Sequence, residues 1–309
     1  MSHRATPRSV RGETDLVRAP GLWVTGPLQL TMPVEEKGLN GIFVASGRLR
    51  MTPDFDIWAW LLERWASGDR DPAGVVRFTL YEMGHALYER RPGGEERRLM
   101  RESLARLTGT LVYLDSWDVT TSRPGSSLVP IFKALGSPGR LFERPTAAEL
   151  GSMRGDTYHV QLNDWLVERL RSGFVTYLDW RVLRQLDGVA KRLWIALEAE
   201  TFKRVGQDKS AWAVGLGRPA LATLGVGHYK DHRRARLALR EAGKRIVAAD
   251  AHYDSVTVER RPGGYSLLAT RVSGDALAAK RREQEEIWDH LAASGWEETA
   301  DLRRSQRIA

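Results

Sequence analysis

The sequence predicts an α+β fold built from two similar units in tandem. Three observations predict it. The order helix, short strand, helix, turn, helix, β-ribbon can be read once in each half of the chain. Residues 227–248, GHYKDHRRARLALREAGKRIVA, have helical periodicity and two unlike faces. Residues 252–272, which follow, alternate in polarity on both arms of a Pro-Gly-Gly tip, the pattern of a plain hairpin.

Composition sets the bounds. At 309 residues the chain is long enough for two ordinary domains, and an apolar content of 42% gives it cores to bury. The net charge of +8 favours a polyanion as partner. Arg far outnumbers Lys; Arg suits phosphate and base edges, although a GC-rich genome leaves the same bias. With no Cys, disulfides and Cys-based zinc sites are excluded. No apolar run of about 18 residues occurs, and no apolar stretch follows the basic N-terminus. A cytoplasmic protein, not associated with membrane, is expected.

The elements are read in chain order. Residues 1–20 are polar and read as a flexible tail. Residues 22–32 alternate as a strand or extended arm, and 38–49 add a short strand. Residues 53–65 (PDFDIWAWLLERW) form a helix with Asp54 or Asp56 as cap and Ile57, Trp60, Leu61 and Trp65 on one face. A short strand at 75–78 leads to Thr79, which caps a helix over 80–88 with Glu82 in its first turn, where an acid is favourable. After a turn at 90–94, the helix over 95–108 points Met100, Leu104 and Leu107 inward and leaves Arg97, Arg98 and Arg101 off that stripe. Residues 110–117 are a strand, 122–140 a Gly-, Ser- and Pro-rich hairpin tip or loop, and 157–162 the returning strand. Asn163 starts a helix to 171, 174–177 is a short strand, and Asp179 caps 180–186. The order then recurs: helix 189–203, strand 211–216, short helix 218–224, turn, basic helix, and a hairpin with arms 252–260 and 265–272. A last charged helix spans 275–293, and 299–309 read as a frayed tail.

This order is that of a winged helix, so the fold class is α+β with two tandem winged-helix domains. The expected divisions are a tail at 1–20, an N-terminal winged helix at 21–153, a C-terminal DNA-binding winged helix at 154–275, and a helix and tail at 276–309. RRPGG occurs at 90–94 and again at 260–264, but at different places in the two motifs. The repeat therefore rests on element order, not on identity.

In the basic helix Ala235, Leu239, Ala242 and Ile246 form one stripe, while Arg233, Arg236, Arg240 and Lys244 follow a similar spacing displaced by roughly half a turn. One side seals a core; the other presents cations. Such a helix fits the major groove of B-DNA, where Arg can be bidentate to guanine or to phosphate. A solvated face on an ordinary surface helix is the alternative. The hairpin that follows favours DNA, because it supplies a wing carrying Arg260 and Arg261 near its tip.

Several chemistries lack their residues. The seven His show no HExxH pair or similar metal spacing, and His228 and His232 lie among cations that oppose a metal ion. There is no P-loop; Gly215-Leu216-Gly217 and Gly225-Val226-Gly227 read as turns. Glu283, Glu285 and Glu286 fall on a charged helix and read as a solvated face. The histidine pair of rolling-circle initiators is missing as well. No catalytic residue, cofactor or metal is therefore assigned. Most of the 11 Trp read as core, with Trp117 and Trp296 the least constrained. Tyr229 can either stack on a nucleic acid or pack at the helix start.

Two segments, VRFTLYEMGHAL…LMRESLARLTGTLVYLDSWD and YHVQLNDWLVERLRSGFVTYLDWRVLRQLDGVAKRLWIAL, carry a family resemblance. With the two-winged-helix order, they resemble plasmid replication initiators of the RepA/RepE/Pi type, most of all the replication initiator protein A group. The resemblance spans roughly residues 22–272. It implies binding to direct repeats (iterons) at an origin, opening of an AT-rich tract, and recruitment of a host initiator and replicative helicase. It also implies a monomer–dimer equilibrium. By the same resemblance, Lys230, Arg233, Arg234, Arg236, Arg240 and Lys244 would meet major groove and phosphate, with Arg97, Arg98 and Arg101 as first-domain counterparts. The 122–140 segment departs from the family pattern.

The expected function is a non-catalytic initiator bound to double-stranded DNA. The alternative is a tandem winged-helix transcriptional regulator, disfavoured by the lack of a separate sensor domain. A nuclease or relaxase is disfavoured by the lack of paired carboxylates with metal geometry.

Overall fold

The computed structural model describes residues 9–13, 16–17, 22–25, 42–46, 49–68, 70–114, 127–137, 140–143, 146–151, 157–173, 175–202 and 211–272. The chain begins with strands β1 (Ser9–Glu13), β2 (Trp23–Val24), β3 (Ile42–Ser46) and β4 (Leu49–Arg50), then enters helix α1 (Asp54–Ser67). Strand β5 (Val75–Thr79) and helices α2 (Leu80–Tyr88) and α3 (Gly94–Gly109) follow. Next come β6 (Leu111–Leu114), β7 (Ser127–Pro130), β8 (Phe132–Ser137), β9 (Arg140–Phe142), α4 (Ala147–Gly151) and β10 (Thr157–Leu162). A connector of α5 (Asp164–Arg171), β11 (Val175–Asp179) and α6 (Trp180–Gln185) leads to the second unit. That unit comprises α7 (Gly188–Phe202), β12 (Ala211–Gly215), α8 (Arg218–Thr223), α9 (His232–Ala249), β13 (Tyr253–Arg261) and β14 (Gly264–Arg271).

Strand pairing shows the repeat that sequence identity does not. In the first unit the order is β5-β10-β8-β9; in the second it is β12-β14-β13. In both, the strand after the first helix pairs antiparallel with the last strand of the ribbon, which pairs in turn with an earlier ribbon strand, β8 in the first unit and β13 in the second. The fold is α+β with two tandem winged helices. Each unit has a helix that is apolar around most of its girth, as a central helix must be. Phe55, Ile57, Trp58, Ala59, Trp60, Leu61 and Leu62 of α1 are all buried, and so is every residue from Ala190 to Leu197 of α7.

Local chemistry sets the helix starts. Thr79 and Glu82 form the reciprocal capping box of α2: the Glu82 N–H donates to Thr79 Oγ1 at 3.0 Å, and the Thr79 N–H donates to the Glu82 carboxylate at 2.8 Å. Asn163 accepts from the Trp165 N–H and caps α5; Asp179 accepts from Arg181 and Val182 and caps α6.

Four expectations need correction. Residues 1–20 are not a tail throughout. β1 pairs with β11 in register from Ser9↔Asp179 to Glu13↔Val175, and Val10, Leu16 and Val17 are buried. Scattered apolar residues in a polar stretch suffice when each lands in a core. Second, the strand at Leu111–Leu114 is not the partner of β10. It lies between β3 and β7 in a separate sheet, and the ribbon partner is β8, from the stretch read as a hairpin tip or loop. Gly and Pro there mark a strand changing sheets at Ile131, whose N–H donates to the Thr110 carbonyl at 3.1 Å. Third, Thr157–Leu162 is bonded to β5 and β8, so the boundary expected near Arg154 falls before a strand of the first sheet. Fourth, Asp54 and Asp56 do not cap α1, which starts after Pro53 without a side-chain cap. Asp54 is buried and accepts from Arg106 Nε at 2.9 Å and Nη2 at 2.7 Å, joining α1 to α3; Asp56 turns to Lys191 of α7. A buried carboxylate needs both a counter-charge and hydrogen bonds; Asp54 also accepts the Arg50 N–H at 2.8 Å. The expected helix at 275–293, the tail at 299–309, and parts of 22–32, 38–49 and 110–126 lie outside the described residues.

Candidate nucleic-acid interface

The interface is built on α9. Asp231 caps it by accepting the Arg233 N–H at 2.7 Å. Ala235, Leu239, Ala242, Gly243 and Ile246 face inward, as their spacing predicts. Gly243 sets how closely the helix lies on the wing: a Cβ there would stand 2.2 Å from the Val256 carbonyl oxygen of β13. No other residue fits without moving the helix.

The turn that aims α9 is held from behind. Gly225 has φ +78°, and a Cβ on it would come 2.7 Å from Arg192 Cγ and 2.9 Å from Thr25 Cγ2. Thr25 Oγ1 donates to the Gly225 carbonyl at 2.6 Å. The Arg192 guanidinium donates to the carbonyl of Thr223 at 2.8 Å and to that of Val17. Burial lowers its pKa to about 10, so it stays charged at neutral pH. N-terminal segment, central helix and turn are thus tied together behind α9.

At its far end α9 stops at Asp250. One carboxylate oxygen accepts the Trp194 indole N–H at 2.7 Å; the other accepts the His252 backbone N–H at 2.9 Å and lies 2.7 Å from His252 Nδ1. Burial pushes this carboxyl up, but the bonds from His252 and Trp194 outweigh it, and its pKa is lowered. Beside it Glu198 accepts from the Tyr253 hydroxyl at 2.6 Å and from Arg271 at 2.7 Å. Burial raises the Glu198 and Tyr253 pKa values.

The outer surface carries the cations. Lys230, Arg233 and Arg234 are exposed around the helix start, and none pairs with a carboxylate among the described residues. Arg236 is half-buried, its guanidinium 3.9 Å from the ring centre of Tyr265 on the wing. Arg240 is exposed and makes a long bond, 3.4 Å, to the Val258 carbonyl. Lys244 pairs with Glu241 at 2.8 Å, both side chains exposed, and Arg245 with Asp187 at 2.7 Å. On the wing, Arg260 lies opposite Tyr265 in the hairpin register, and Arg261 stands 3.9 Å from Glu259. Arg260 has the strand phase of the buried Val256 and Val258, on the side that meets α9. Helix and wing therefore bring their cations side by side, with Glu241 and Glu259 among them.

The first unit is employed differently. Arg98 is bound by Glu95, at 2.9 and 2.5 Å, and by Glu102. Hydrogen bonding from Arg98 lowers the Glu95 pKa. Arg101 donates to the Tyr158 hydroxyl at 3.3 Å, which donates on to the Leu150 carbonyl. Arg97 is half-exposed. Sequence reasoning grouped these three as counterparts of the α9 cations. Its missing signal was the acids at i−3 and i+4 around Arg98, readable as helix pairs. It also passed over Gly243, Tyr265 and Asp250; of these, a glycine inside a strongly periodic helix was the one legible sign.

No helix of the described residues is long and apolar enough to cross a membrane. Comparison with solved structures finds the same architecture elsewhere. Domains 2 and 3 of RctB, crystallised as selenomethionine derivatives, match with a TM-score of 0.50 at 11% identity, over 84% of this chain and 98% of that one. A second structure of RctB domains 2–3 matches with a TM-score of 0.45 at 12% identity, over 77% and 88% of the two chains. At such identity the likeness is one of fold. No protein-family model matches the sequence, nor does any curated protein.

Proposed function

We propose that this chain is a plasmid replication initiator: it binds direct repeats at an origin as duplex DNA, without catalysis, and promotes local opening and helicase recruitment. One observation carries the reading. The outward side of α9 and the adjoining hairpin expose Lys230, Arg233, Arg234, Arg240 and Arg260 with no carboxylate partner among the described residues, on a scaffold whose interior fixes the helix's aim. Charges kept solvated and unpaired are available to phosphates, and their counterion release supplies affinity. The segments that resemble plasmid initiators support the same assignment, on a fold shared with domains 2 and 3 of RctB.

The division of labour follows from charge. The α9 cations meet groove and phosphate; Arg98 and Arg101 on α3, already bonded within the protein, contribute less. The test is a gel shift with the DNA flanking the gene against scrambled DNA of equal length. Specific retention by tandem direct repeats supports the reading. Binding confined to an inverted repeat would favour the regulator, and cleavage in Mg²⁺ or Mn²⁺ would make the protein an enzyme.

A further inference from the structure

Leu237 is 48% exposed, in the middle of the most cationic helix of the described residues. At about 100° per residue it lies nearly opposite the buried stripe of Ala235, Leu239, Ala242 and Ile246, at the crest of the outward face. Arg233 stands one turn before it, Arg240 one turn after it, and Lys244 one turn further. The cations nearer the wing, Arg236 and Arg240, touch Tyr265 and the Val258 carbonyl. The crest itself is therefore an apolar side chain flanked by cations and, one turn on, by the exposed Glu241, which pairs with Lys244 at 2.8 Å, with the wing to one side. Burial does not account for it: the helix seals its core through the opposite face.

From this placement we infer that Leu237 reads thymine. The inference rests on α9 entering the major groove, as proposed above. There, each base pair presents hydrogen-bonding groups, and thymine alone adds an apolar 5-methyl group. The cations around Leu237 would grip phosphates on either side of the groove and set the crest facing the base edges. A leucine at that point has no hydrogen bond to offer and one favourable contact to make, with a methyl. It would accept thymine and leave the donor and acceptor groups of other bases dry and unpaired, which costs affinity. Leu237 thus acts as a specificity-determining residue, and the cations around it act mainly on affinity.

The experiment selects bound duplexes from a randomised library with the full chain, then replaces each thymine of the enriched site, one at a time, by deoxyuridine. Burying one methyl group corresponds to an affinity change of about four-fold. The expected result is a loss of that size at one or two thymines, absent in Leu237→Ala, which binds thymine and deoxyuridine sites equally. Leu237→Ala should keep the melting temperature of the parent, since the side chain seals no core. Two results overturn the inference while leaving the interface intact: an enriched site in which no methyl matters, or a methyl effect that survives in Leu237→Ala. Failure to enrich any duplex removes the interface, and the inference falls with it.

Discussion

Lys191 and Asp56 lie 135 residues apart, one on the central helix of each winged helix, and their charges meet inside the protein. The ammonium is 2.8 and 2.9 Å from the two carboxylate oxygens and 2.9 Å from Thr52 Oγ1, with the side chains only 1% and 8% exposed. Burial raises the Asp56 pKa even against the attraction of Lys191. Such a pair adds little net stability over apolar residues of similar size, but neither charge tolerates the loss of its partner. It makes the two units answer to one another.

Lys191→Met should therefore cost about 3–5 kcal/mol, and adding Asp56→Leu should restore most of the loss. Chemical denaturation of the single and double variants measures both. A single variant that loses less than about 1 kcal/mol would show that the carboxylate reaches water.

Gly243→Ala tests how tightly α9 sits on the wing. Helix propensity alone predicts a gain of about 1 kcal/mol. The added methyl would stand 2.2 Å from a backbone oxygen that cannot rotate away. Overpacking of this kind costs about 1–3 kcal/mol, and at so short a distance it wins over propensity. The expected outcome is a lower melting temperature, together with weaker DNA binding as the helix lifts from β13.

Asp250 gives a pH dependence of known sign. Its carboxyl is held below the ordinary value of 3.8 in the folded protein, so the folded state binds the proton less well than the unfolded state does. The stabilisation it supplies is complete above that value and disappears as pH falls through the folded value. Asp250→Asn should thus be less stable than the parent at neutral pH, with the gap closing below about pH 4. Denaturation midpoints across pH 2.5–7, on the order of six points, measure the convergence; a gap that widens in acid would reverse the sign.

How much of this was legible follows from where each signal lies along the chain. The faces of α9, the β13–β14 hairpin and the caps at Thr79, Asn163 and Asp179 are local, and periodicity or a single side chain reveals them. The ribbon partner of β10 is not local. β8 is a short strand that follows Pro130 closely and contains Gly136, and only its pairing across the sheet separates it from a loop. Lys191–Asp56 and Arg192–Val17 left no trace in sequence, because each joins segments more than a hundred residues apart. The cations of α9 can be read from the sequence, but which cations are already paired within the protein cannot. Arg98 carries the same charge as Arg233, and only the neighbouring acids and the folded surface tell them apart.

That difference in employment yields the last prediction. Each cation that meets a phosphate should contribute about 0.9 to the slope of log K against log salt concentration. Arg233→Ala and Arg234→Ala should therefore each lower the slope by about one and weaken specific and random DNA alike. Arg98→Ala should leave the slope nearly unchanged, since its guanidinium is already bound by Glu95 and Glu102. Arg240→Ala should weaken specific binding more than random binding, by about 1–3 kcal/mol, if its guanidinium leaves the Val258 carbonyl for a base edge. Arg236→Ala should act through the wing, because it removes the guanidinium stacked on Tyr265. Binding isotherms at a series of salt concentrations, on specific and scrambled duplexes, separate these cases. A slope that falls equally for Arg98→Ala and Arg233→Ala would place both winged helices on the phosphate backbone and remove the division of labour between them.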